Sequence, residues 1–219
     1  SGLRALEMLD LGHNRIVELP EGLGSLNRLA FLYLSNNRLS SLPASFARLD
    51  GPVYPNITDN RLAEFPPQVT ALTNLSELRL YNNQIESLPE SIGGLSQLKE
   101  LYLMNNRLTG LPESIGRLAR LRILNLQGNQ LTSLPGSIGD LAELHELDLR
   151  NNCLAMLPEA FGRLHRLRYL DLRANRLSAL PPGLAQLEHL EKLDLRWNRR
   201  LELPGWIKGL EERGCVVYH

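Results

Sequence analysis

Side chains able to do chemistry are present in this chain, but they are scattered. The histidines His13, His145, His165, His189 and His219 show no metal-ligand spacing, and no cysteine or carboxylate cluster accompanies them. Cys153 and Cys215 lie far apart along the chain, so no bond between them is expected. Ser91 and Ser114 stand in E-S-I-G, whereas a nucleophile elbow needs G-x-S-x-G. No glycine-rich phosphate loop occurs. The expectation is no catalytic residue, no metal and no cofactor. The residues that remain suit recognition. Phe31, Tyr33, Tyr54, Arg79, Tyr81, Tyr102 and Met104 gather large side chains in the N-terminal half. Asp148, Arg150, Asp171, Arg173, Asp194 and Arg196 alternate charge in the C-terminal half. Aromatic residues, Met and Arg are enriched where proteins meet.

These side chains must be positioned by something, and a 23-residue period supplies it. Asn recurs at Asn14, Asn37, Asn60, Asn83, Asn106, Asn129, Asn152, Asn175 and Asn198, and a Pro follows each by six residues. In the copy beginning at Leu75, Leu78 and Leu80 alternate with Arg79 and Tyr81, the period of a strand. One copy cannot bury Leu75, Leu78, Leu80, Ile85, Leu88, Ile92 and Leu95, whereas stacked copies cover each other. Burial of each such side chain contributes ~1.5–3 kcal/mol. The Asn amide donates and accepts, so it can satisfy backbone groups where the chain leaves the strand. Pro89, with its fixed φ, starts a return segment containing a turn or short helix near Ser91 to Gly94. Glycosylation-type tripeptides at Asn56-Ile57-Thr58 and Asn74-Leu75-Ser76 are accidents of this period.

The pattern L-x-x-L-x-L-x-x-N-x-L-x-x-L-P-x-x-I-G-x-L resembles the leucine-rich repeat family. Within it, the chain is similar to the 23-residue class found in Ras-group and bacterial proteins. The resemblance implies an α/β solenoid: a right-handed, curved array with a parallel concave β-sheet and short helices or turns on the convex side. It implies one domain over residues 1–219, with nine copies across about 3–204 and a C-terminal cap at 205–219. It also implies a protein-binding scaffold that acts through the concave face, with no catalysis of its own. The alternative is the substrate-recognition segment of a larger enzyme, a kinase or ubiquitin ligase. The absence of cysteine-rich caps points to a cytoplasmic setting, a secreted bacterial effector being the variant of that reading.

Composition agrees with binding to protein rather than to polyanions. Lys and Arg number 24 and Asp and Glu 24, giving a formal charge of zero, so bulk attraction to nucleic acid is not expected. No apolar run is long enough for a membrane span. Three local irregularities carry expectations. The chain opens at Ser1 inside a copy, as a fragment of a longer protein would, so the edge bearing Leu6, Leu9 and Leu11 should promote self-association. Pro52 and Pro55 replace two leucines, so residues 50–55 should bulge or lose pairing. Residues 205–213 should form a short helix ended by Gly214, and Cys215 to Tyr218 a closing strand with Val216 and Tyr218 facing the core. On the concave face the N-terminal aromatics form the expected binding surface, and the alternating Asp and Arg form a largely self-neutralising secondary ladder.

Overall fold

A computed structural model describes residues 5–49 and 54–219. Ten strands lie in chain order: Met8–Asp10 (β1), Phe31–Tyr33 (β2), Tyr54–Asn56 (β3), Glu77–Arg79 (β4), Glu100–Tyr102 (β5), Ile123–Asn125 (β6), Glu146–Asp148 (β7), Tyr169–Asp171 (β8), Lys192–Asp194 (β9) and Val216–Tyr218 (β10). All pair in parallel, β1 to β10 without a crossover, in one sheet. The register is the sequence period itself: Leu78 faces Leu101, which faces Leu124. The result is a right-handed, curved solenoid whose sheet forms the concave side.

Alternation decides the two faces. Leu78, Leu80, Leu101 and Leu103 are fully buried, while the residues between them lie on the opposite face of the sheet. Behind the sheet, each of eight return segments carries a five-residue 3₁₀ helix, such as Glu90–Gly94 and Glu113–Arg117. The Pro preceding each one has φ near its ring-fixed value, −75° at Pro89 and −71° at Pro112. Its carbonyl accepts the first 3₁₀ bond, Ile92 N–H to Pro89 O at 3.0 Å. Ile92 and Leu95 then close the core from behind.

The Asn column ties copy to copy. Asn106 Nδ2 donates to Leu80 O of the preceding copy and Leu103 O of its own, both at 3.0 Å. Its Oδ1 accepts the Ile85 N–H at 3.0 Å. The same set recurs from Asn37 to Asn175, and each of these side chains is at most 8% exposed. Asn198 donates in the same way to Leu172 O and Leu195 O and accepts from Leu177 N–H. Asn14 is exposed and donates only within its own copy, to Leu11 O and Gly12 O.

The proline irregularity is milder than a bulge. Pro55 sits at the centre of β3, which keeps full register with β2: Phe31 to Tyr54, Leu32 to Pro55, Tyr33 to Asn56. Pairing is lost on one side only, where β3 meets β4 through Asn56 and Arg79 alone. The cause is directional. In the regular copy the Leu80 N–H points to the next strand, at Tyr102 O. Leu78, two residues earlier, points the same way, and Pro55 is its counterpart without an N–H. Tyr54 N–H, facing the preceding strand, still bonds Ala30 O at 2.7 Å. Pro52 and its neighbours 50–53 lie outside the described residues.

The closing strand is one residue out of the expected register. Val217, not Val216 or Tyr218, pairs with Leu193 and packs against the core. Val216 is 51% exposed and Tyr218 41%. The helix Ile207–Glu212 (α1) explains the shift. An α-helix rises less per residue than a 3₁₀ helix, so this return takes one residue more. Gly214, at φ +93°, then lets Cys215 N–H reach Leu210 O at 3.1 Å and swing Cys215 into the core.

Candidate functional site

Two clusters occupy the concave face. The first spans β2 to β5. The rings of Phe31, Tyr33 and Tyr54 lie 6.1–6.5 Å apart pairwise. The Arg79 guanidinium continues the pile, 5.6 Å from the Tyr54 ring and 5.2 Å from the Tyr102 ring. Five of the seven side chains expected at a binding surface thus form one continuous stack. Tyr81 and Met104 sit half-buried in the next column toward the turn and join no described aromatic pair.

Carboxylates lock the stack. Glu77 accepts from Tyr54 Oη at 3.3 Å and from Arg79 Nε at 2.5 Å. Tyr102 Oη donates to Glu100 at 2.8 Å. Burial, reinforced by Glu77, pushes the Tyr54 hydroxyl up to about 12. Burial and Glu100 push Tyr102 higher still. Both phenols are therefore neutral, and each hydroxyl is held by a neighbouring carboxylate.

A comparison along one column shows what the stack displaces. At the last strand position Asp10, Asn56, Asn125, Asp148, Asp171 and Asp194 each accept the backbone N–H two residues on, at 2.8–3.4 Å. In β2, β4 and β5 that position holds Tyr33, Arg79 and Tyr102, which cannot accept this bond in the same way. Three copies give up a local cap and supply four members of the stack; Tyr54 joins them from β3, where Asn56 keeps its cap.

The second cluster spans β7 to β9. Arg150 pairs with Asp148 at 3.2 Å, and Arg196 with Asp194 at 2.6 Å. Arg173 bridges Asp171 at 2.5 Å and Asp194 at 3.4 Å. Asp194 is fully buried; burial alone would raise it, but Arg196 and Arg173 outweigh burial and hold its carboxyl below the ordinary value. Asp148 is less well matched, and burial lifts it to about 6 despite Arg150. The ladder borders a cavity of about 370 Å³ with Glu146, Tyr169 and Lys192. Its Asp members cap the turns and its Arg members neutralise them, so it is part of the fold as well as of the surface.

Sequence reading passed over one residue, Trp197, which is 67% exposed. It occupies the left-handed turn before Asn198, a position also held by Asn36, Asp59, Asn82, Asn105, Gly128 and Asn151. The departure from Asn, Asp or Gly was the signal. Among the described residues no group of His, Cys, Asp or Glu is placed to hold a metal ion. No described helix is long and apolar enough to cross a membrane.

The family model described as leucine rich repeat matches residues 1–49, 56–108, 96–154 and 151–199. No curated protein is significantly similar to the chain. A leucine-rich repeat protein of Leptospira interrogans superposes with a TM-score of 0.92 at 36% identity, covering 99% of this chain and 55% of that one. The plant peptide hormone receptor RGFR1, in complex with RGF2, gives 0.67 at 29% identity over 89% of this chain and 36% of its own. The Arabidopsis receptor kinase HAESA, in complex with the peptide hormone IDA and the co-receptor SERK1, gives 0.72 at 33% identity over 86% of this chain and 33% of its own. The chain thus spans between a third and little more than half of these structures.

Proposed function

The chain belongs to the leucine-rich repeat family, and from that premise we propose that it is a protein-interaction module whose partner docks on the concave stack of Phe31, Tyr33, Tyr54, Arg79 and Tyr102, with Tyr81 and Met104 at its border. One observation carries the reading: Tyr33, Arg79 and Tyr102 replace the capping Asp or Asn in three of the four strands that bear the stack, and from β1 to β9 no other strand end departs from Asp or Asn. The fold forgoes a hydrogen bond in those copies, and a rigid aromatic surface is what it has instead. Tyr, Trp and Arg offer large contact area with few rotors and dominate binding energy at interfaces. One similar structure is a peptide hormone receptor in complex with RGF2 and another a receptor kinase in complex with a peptide hormone, which supports a protein or peptide as occupant here.

The test is affinity capture of partners with the unaltered chain, then titration of a recovered partner against variants. Tyr33→Ala with Tyr102→Ala should weaken binding by ~2 kcal/mol or more with the fold intact. Tyr169→Ala, on the charged half, should leave it within about twofold. The opposite ranking would assign the partner to the charged half. Arg173 is unsuitable as a surface probe because it also neutralises buried Asp194. A second reading, the recognition segment of a larger receptor or enzyme, is supported by the share of the similar structures that the chain spans, one of them a receptor kinase. The complete open reading frame decides it.

A further inference from the structure

Trp197 stands where the fold least favours it. Its backbone has φ +66°, and six of the eight other copies place Asn, Asp or Gly at this position. A bulky aromatic in the left-handed region is an outlier that persists only where something else holds it. The core receives nothing in return, since the indole is 67% exposed. Cations surround the ring instead. The Arg173 and Arg196 guanidiniums lie 6.0 and 5.9 Å from its centre. Arg196 is also 4.9 Å from the ring of Tyr218, over which Lys192 lies at 5.6 Å.

A cavity adjoins the indole. It measures about 170 Å³, and Leu195, Leu201, Leu203, Arg199 and His219 line it with Trp197. Leu203 is 41% exposed, although its type belongs in a core. Three leucines and the indole give the cavity its apolar part and Arg199 its cation, with Arg200 next in the chain and Lys192 on the far side of Tyr218. Among the described residues Lys192, Arg199 and Arg200 take part in no ion pair. Arg173 and Arg196 are already matched by Asp171 and Asp194, so they hold the indole rather than await a ligand.

We propose that this corner, Trp197 with its leucine-lined cavity and basic neighbours, docks an acidic peptide segment of a partner protein that carries one bulky apolar side chain. The apolar group enters the cavity against the indole, and flanking carboxylates meet Arg199, Arg200 and Lys192. A peptide suits the site better than nucleic acid for two reasons. The chain as a whole has no net charge, and one indole gives no platform for successive bases. The site lies beside β9 and β10, away from the aromatic stack on β2 to β5, and stands or falls independently of it.

The experiment uses the whole chain with Trp206→Phe, which leaves Trp197 as the sole indole. The probe is an Asp/Glu-rich decapeptide, blocked at both ends, with one central Phe. Trp197 fluorescence should change saturably and the affinity should fall as salt rises. Replacing the peptide's Phe by Ala should weaken binding at least tenfold. Trp197→Asn, followed with a dye-labelled peptide, should also weaken binding at least tenfold. The same change should raise the thermal midpoint by about 2–4 °C, because Asn accepts the left-handed turn that Trp strains. Three results would overturn the proposal: unchanged binding by Trp197→Asn, a lowered midpoint in that variant, or equal affinity for an oligothymidylate of matched length.

Discussion

Asn106→Ala tests the tie between copies, and its cost can be worked atom by atom. The side chain is 7% exposed and makes three strong bonds. The two carbonyls it serves are not orphaned by its loss. Leu80 O retains Asn83 Nδ2 at 3.1 Å, and Leu103 O retains Asn129 Nδ2 at 3.0 Å. The Ile85 N–H has no second partner among the described bonds and would be buried alone. An unsatisfied buried donor costs ~1–3 kcal/mol, and each lost bond to a still-partnered carbonyl ~0.5–1 kcal/mol. The expected total is about 2–5 kcal/mol. Asn14→Ala removes only two exposed bonds to its own copy and should cost under about 1 kcal/mol. Urea denaturation of the pair gives the comparison. Because repeat arrays can open piecewise, hydrogen exchange should accompany it and show the loss centred on Ile85 to Leu108. Equal midpoints for the two variants would refute the bridging role.

Other sites yield direct expectations. Gly139→Ala would place a Cβ 2.3 Å from the Ala160 carbonyl of the next copy and should cost ~1–3 kcal/mol by denaturation, whereas Gly136→Ala meets nothing within 4 Å and should be near neutral. Asp148 has a folded value raised from 3.8 to about 6, so the native state holds its proton more tightly and stability should fall as pH rises from about 4 to about 6. Asp148→Asn keeps an acceptor for Arg150 N–H, as Asn125 does for Gln127; it should flatten that decline and gain on the order of 2–3 kcal/mol at pH 7, and an unflattened profile would reject the assignment. Pro55→Leu restores an N–H aimed at β4 and should add ~0.5–1.5 kcal/mol; no slowly exchanging amide at position 55 would count against the directional account.

The solenoid was legible because each signal was repeated: an error of register in one copy would contradict its neighbours. That redundancy ends where a feature occurs once. The closing helix α1 has no sister copy, so a 23-residue count carried past Pro204 put Val216 and Tyr218 inside, where the extra α-helical residue puts Val217. Pro55 shows a different loss. Composition reports that an N–H is missing, but which neighbour misses it depends on strand direction, and only one side does. The concave surface was readable as a set of outward positions, since alternation alone selects Phe31, Tyr33, Tyr54, Arg79 and Tyr102. Their union into one stack was not readable, because it depends on rotamers that bring Arg79 between two tyrosines of different columns. Trp197 was hidden by the opposite effect: the regular Asn beside it draws attention to the ladder, while the left-handed turn it occupies leaves no mark except the residues other copies choose there. Periodicity in this chain therefore specifies the frame. Departures from it mark the candidate sites, both where aromatic groups displace caps and where one indole occupies a turn suited to asparagine.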